Sequence, residues 1–155
     1  MLIEVKVKVA RVIDNKTRKR TETYILDREF FSQAEYAITE LLNEEEQSGL
    51  IEDFYITSLR ESGIKEIVDK FKGDFSFLAT LKDIWLEDDG TEKYLKYKVL
   101  LWADSPSQAM GNTLQLSKEG YDMQIEGIKQ VDYEYLAGDI EKEETEEEEP
   151  ENEEV

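Results

Sequence analysis

The chain contains no cysteine and no histidine. The first absence excludes disulfides, thiolate metal sites and a cysteine nucleophile. The second excludes a Ser-His-Asp triad, imidazole metal ligands and histidine acid–base chemistry. No apolar run approaches the roughly 20 residues that span a bilayer. The opening Met-Leu-Ile-Glu-Val-Lys-Val-Lys-Val alternates apolar and polar residues, unlike the continuous apolar segment of a secretory signal. No G-x-x-x-x-G-K-[ST], G-x-G-x-x-G or G-x-S-x-G is present, so the frames of phosphate-loop, dinucleotide and nucleophile-elbow chemistry are missing. Asp88-Asp89-Gly90 lacks EF-hand spacing and reads as a β-turn. These absences predict a non-enzymatic, cytoplasmic protein with no metal, no cofactor and no membrane partner. Bases are scarce as well: 19 lysines and arginines face 38 acids, a formal net charge of −19 in 155 residues.

That charge is unevenly spread. Residues 139–155 hold eleven acids against Lys142 alone, −10 of the total, and leave 27 acids and 18 bases for residues 1–138. A Glu-rich run of this kind repels itself and buries nothing, so residues 139–155 are expected to be a disordered tail. The opposite extreme is residues 5–28, where Lys6, Lys8, Arg11, Lys16, Arg18, Lys19, Arg20 and Arg28 stand against Asp14, Glu22 and Asp27, net +5.

Hydrophobic periodicity supplies the elements. Ile3, Val5, Val7 and Val9 alternate with Glu4, Lys6 and Lys8 as in a half-buried strand. Asp14-Asn15-Lys16 signals a turn and Thr21 to Leu26 a second strand, giving a hairpin with a long basic tip. Ser32 followed by Glu35 reads as a helix-opening capping box. The helix, over residues 31–46, places Ala34, Ala37, Ile38 and Leu41 on one face. Leu50 to Leu59 is a third strand, with Phe54 and Ile56 on one face and Tyr55 and Thr57 on the other. The series then recurs: strands over Phe75 to Leu86 and Tyr94 to Ala103, a helix over 105–118 closed by Gly120, and a strand over Met123 to Tyr133.

Local identities accompany the recurrence. Ser32-Gln33-Ala34 matches Ser107-Gln108-Ala109, Tyr24-Ile25-Leu26 matches Val99-Leu100-Leu101, and Ile56 to Arg60 matches Ile125 to Lys129, in the same order and element types. The expectation is an α+β fold of tandem duplicated ββαβ units, residues 1–70 and 71–138, with antiparallel sheet and two helices. The tail follows as 139–155.

The layout resembles an uncharacterised domain family of gut bacteria and their tailed phages. The residues that carry the likeness are Ile56-Thr57-Ser58-Leu59-Arg60, the linker Ile64-Lys65-Glu66-Ile67, Gly90-Thr91-Glu92-Lys93, Tyr97-Lys98-Val99 and Tyr121 to Val131. It covers nearly all of residues 1–137, and its motifs are structural, so it implies a fold and a phage context and no active site. The acidic tail is similar to those ending phage single-stranded-DNA-binding proteins, which dock replication partners and compete with DNA for the basic groove. This tail ends Asn152-Glu153-Glu154-Val155, without the aromatic that such docking uses.

Clustered cations neutralise phosphates, and exposed aromatics stack on bases. The expected nucleic-acid contacts are Lys6, Lys8, Arg11, Lys16, Arg18, Lys19 and Arg20 on phosphate, with Tyr24, Tyr94 and Tyr97 as stacking groups. The leading reading is a sequence-independent single-stranded DNA-binding protein of phage or mobile-element replication, whose tail meets replication or other host or phage proteins. The competing reading is an acidic interaction module or DNA mimic that occupies a basic site on a nucleic-acid-binding host protein. A structural or virion role is a third class with the same composition.

Overall fold

The computed structural model describes residues 1–118 and 123–138. The expected tail at 139–155 and the helix-closing Gly120 lie outside the described residues. The fold is α+β, with eight strands in two four-stranded sheets and two helices. The described chain divides into two units, Met1–Ser62 with residues 134–138, and Gly63–Tyr133.

In the first unit, β1 (Leu2–Ile13) and β2 (Lys16–Asp27) form an antiparallel hairpin. Ile13 pairs with Lys16, and the two residues between them, Asp14 and Asn15, have φ of 52° and 62°. A tight turn with both central residues left-handed matches the twist of the flanking strands, and Asp and Asn tolerate that conformation. The basic residues expected on a long tip therefore lie in a regular strand. Next come α1 (Phe31–Gln47) and β3 (Ile51–Glu61), which pairs antiparallel with the other side of β1. With β8 (Tyr133–Leu136) the sheet order is β3-β1-β2-β8.

One sheet face is apolar. Ile3, Val5, Val7 and Val9, with Tyr24, Leu26 and Ile51, bury against Ala34, Ile38 and Leu42 of α1. The period-two strand and the i, i+4 helix row are thus in phase. Leu41 and Ala37 flank that row half-buried, as do Phe54 and Ile56. The helix starts at Phe31 as expected, but its N-cap is Phe30, two residues before Ser32. Gln33 Oε1 accepts from the N–H groups of Glu29 and Phe30 at 3.1 and 3.0 Å, and so satisfies donors that Ser32, already inside the helix, cannot reach.

In the second unit, β4 (Ile64–Val68), β5 (Phe75–Leu86), β6 (Glu92–Ala103), α2 (Pro106–Lys118) and β7 (Gln124–Val131) build a sheet of order β4-β6-β5-β7. Phe77, Ala79, Leu81, Val99 and Leu101 pack with Ala109 and Leu116 of α2. The β5–β6 turn follows the Asp-Asp-Gly reading: Gly90 has φ 86°, Glu87 N–H bonds Thr91 O at 2.8 Å and Thr91 N–H bonds Asp89 Oδ1 at 2.8 Å. Ser105 caps α2, its Oγ accepting from Gln108 N–H at 3.1 Å, while Gln108 Oε1 accepts from the N–H of the preceding residue, Asp104, at 2.5 Å.

The purely antiparallel expectation requires one correction. Ile64-Lys65-Glu66-Ile67 is no linker; β4 runs parallel to β6, with Ile67 beside Leu100 and Val68 beside Leu101. Burial of Ile64 and Val68 at the sheet edge explains the pairing. Both sheets contain a register irregularity at a matching place between the first strand of the hairpin and the strand after the helix. It falls between Lys6 and Val7 on β1 and between Thr80 and Leu81 on β5, and β1 has a second one between Ala10 and Arg11.

Candidate nucleic-acid interface

Strand parity sorts the cations of the first hairpin. Residues directly opposite in an antiparallel pair project to the same face. The register pairs Val5 with Tyr24, Val9 with Arg20, Arg11 with Arg18 and Ile13 with Lys16, so these side chains share the face that packs α1. Lys6 with Thr23, Lys8 with Thr21 and Ala10 with Lys19 occupy the other face.

On the α1 side, Arg11 and Tyr24 belong to a half-buried polar network. Arg11 Nε and Nη2 donate to Glu22 Oε2 and Oε1 at 2.5 and 2.7 Å, and Nη2 also reaches Glu45 Oε2 at 3.1 Å. Tyr24 Oη donates to Glu22 Oε1 at 2.7 Å, and Arg20 Nε donates to Glu22 Oε2 at 2.7 Å. Burial alone would raise the Glu22 carboxyl, but hydrogen bonds from Arg11, Tyr24 and Arg20 bring it down to about 2. The hydrogen bond to Glu22 holds the Arg11 guanidinium charged against its burial. Burial, followed by the hydrogen bond to Glu22, pushes the Tyr24 hydroxyl up. The network also has a helix role. The last turn of α1 carries Glu44, Glu45 and Glu46 and no base, an unfavourable arrangement at the negative end of a helix dipole. Arg11, reaching across from β1, supplies the missing cation.

These contacts leave the ten expected site residues in different places. Tyr24 is 1% exposed and offers no ring to a base. Arg11 and Arg20 are committed to Glu22, and Lys6 Nζ lies 3.9 Å from Glu4. Lys8, Lys16, Arg18 and Lys19 are exposed, with no ion-pair partner among the described residues. Tyr94 and Tyr97, in the second unit, lie on opposite faces of β6. Tyr94 is 57% exposed with Lys82 Nζ 4.2 Å above its ring. Tyr97 is half-buried, donates to Asp83 Oδ1 at 3.2 Å and sits under Lys65 Nζ at 4.2 Å.

The first sheet has a hollow of about 340 Å³ on its face away from α1, lined by Lys8, Ala10, Lys19, Thr21, Asp53 and Tyr55, among others. Tyr55 was legible only as the outward partner of Phe54 and Ile56; its proximity to Lys8 follows from the β1–β3 register, which pairs the two. The second unit has a hollow of about 570 Å³ lined by Phe75, Trp102, Gln130, Asp74 and Asp132, among others, with no lysine or arginine, the wrong sign for a phosphate. No group of three or more acids among the described residues is placed to hold a metal ion. No helix among them is long and apolar enough to cross a membrane.

A chain with this organisation, two small sheets each backed by one helix, belongs to a family described as a domain of unknown function, DUF4494. The match spans residues 1–136 and so includes both sheets. No curated protein and no solved structure matches the chain.

Proposed function

We propose that the protein binds single-stranded nucleic acid without sequence specificity through its first hairpin, in the replication or recombination of phage or mobile-element DNA. The observation that carries this reading is the group Lys8, Lys16, Arg18 and Lys19. In a chain of net −19, cations left without carboxylate partners on neighbouring strands are well suited to releasing counterions from a phosphate backbone. The acidic tail would then engage protein partners.

The two units are repeats of one ββαβ plan on this reading. The orders β3-β1-β2-β8 and β7-β5-β6-β4 correspond strand for strand, the register irregularities fall at Lys6 and Thr80, and Gln33 and Gln108 each accept a backbone N–H ahead of their helices.

A fluorescence-anisotropy titration with a labelled single-stranded oligonucleotide over a salt series tests the function. Binding should weaken as salt rises. Reversing Lys8, Lys16, Arg18 and Lys19 to Glu should abolish it at moderate salt and flatten the salt slope by about 3, from about 0.7 per phosphate contact. The net charge of −19 supports a second reading, an acidic protein that occupies a basic site on a nucleic-acid-binding partner. That reading requires no oligonucleotide binding at any salt.

A further inference from the structure

The hollow on the first sheet has more specific chemistry than a cationic strip. Across three strands, Thr21, Lys8 and Tyr55 form one row and Lys19, Ala10 and Asp53 the next. Neighbouring strands lie about 4.8 Å apart, so each row spans about 10 Å. Ala10 is the low point between the longer side chains, and Tyr55 stands 60% exposed at the rim.

The second sheet shows what this position looks like when its charge is satisfied internally. There the irregularity beside Thr80 places Glu126 with Lys82 at 3.7 Å and Lys96 at 3.0 Å. Counting from the matching irregularity in each sheet, Lys82 corresponds to Lys8 and Lys96 to Thr21. The residue corresponding to Glu126 is Thr57, whose hydroxyl donates to Lys6 O at 3.2 Å and brings no charge. The first sheet thus keeps the cation and has no carboxylate at that position; Asp53, an acid that lines the hollow, lies in the next row beside Ala10.

We infer that this hollow is a single-nucleotide subsite. A phosphate takes the place held in the second sheet by the Glu126 carboxylate, bound by Lys8 with Lys19 and Thr21 beside it, and the base stacks on Tyr55. Asp53 accepts hydrogen bonds from the amino edge of the base, which favours cytosine, adenine and guanine over thymine. The inference rests on the nucleic-acid reading above and deepens it to one site and one preference.

The test uses the full chain with labelled oligo(dC) and oligo(dT) at low salt. Stacking on one aromatic ring contributes about 1–3 kcal/mol to binding, so Tyr55→Ala should weaken oligo(dC) about 5- to 150-fold. Tyr55→Phe should stay within about twofold, since the ring remains. Thr57→Glu installs the internal anion and should weaken binding at least about tenfold. Asp53→Asn should reduce the preference for oligo(dC). Tyr55 is exposed, so its variants should fold, and circular dichroism checks this. Oligonucleotide binding that survives both Tyr55→Ala and Thr57→Glu would overturn the subsite while leaving the hairpin reading intact. An absence of oligonucleotide binding by the unmodified chain at low salt would overturn both.

Discussion

Replacing Glu22 with Gln removes one negative charge from the centre of the Arg11 network and keeps its shape. The folded carboxyl sits at about 2 against an ordinary 4.5, which corresponds to about 3 kcal/mol of stability. Because the folded value is depressed, that stability is fully present above about 4.5 and disappears as pH falls toward 2. Glu22→Gln should therefore cost about 2–3 kcal/mol at pH 7 and only a few tenths of a kcal/mol at pH 2, where about half of the native carboxyl is already protonated. Glu45 remains beside Arg11 and partly compensates, which sets the lower figure. Trp85 and Trp102 both lie in the second unit, so tryptophan fluorescence reports on the wrong sheet. Native-state hydrogen exchange at the β1 and β2 amides is the suitable readout, for native and variant chains from pH 7 to pH 2. A difference that stays constant over that range, or is below about 0.5 kcal/mol at pH 7, would refute the claim that Glu22 is held charged by this network.

Two further outcomes concern packing. Leu42→Ala, fully buried in the α1 row, should cost about 2–5 kcal/mol in the first unit by the same exchange measurement, and Leu41→Ala, at its edge, distinctly less. Equal costs would mean the helix is rotated from the face described. Gly73→Ala should destabilise the second unit by at least about 2 kcal/mol in urea unfolding followed by tryptophan fluorescence, because an added Cβ would overlap the backbone of Ala103; an unchanged midpoint would show that this loop can move aside.

Where apolar residues mark a phase, the elements and their inward faces were readable. Ile3, Val5, Val7 and Val9 identify the buried side of β1 without any other information, and the strand expected over Phe75 to Leu86 has those bounds. The short strands were not readable. Ile64-Lys65-Glu66-Ile67-Val68 has no clean alternation, and its partner, β6, lies some thirty residues away, so nothing local identifies it as a strand. Residues Tyr133–Leu136 of β8 likewise pair with a hairpin more than a hundred residues earlier in the chain.

The candidate site was obscured by a different property of the same code. The run Lys16-Thr17-Arg18-Lys19-Arg20-Thr21 contains no apolar residue, so hydrophobic periodicity cannot say which of its cations share a face. Only the two-residue turn decides. By fixing Ile13 opposite Lys16, it sends Arg18 and Arg20 to the α1 side and Lys19 to the side of Lys8. A turn one residue longer would turn every side chain of β2 over, carrying Arg20 and Glu22 together to the open side and Lys19 to the α1 side. The net +5 of residues 5–28 is therefore a poor measure of binding capacity, because Glu22 engages Arg11 and Arg20 while Glu4 lies beside Lys6. What matters for a phosphate is the smaller set that parity leaves exposed without an acid. In the second sheet, a single glutamate at the corresponding irregularity is enough to engage both local lysines.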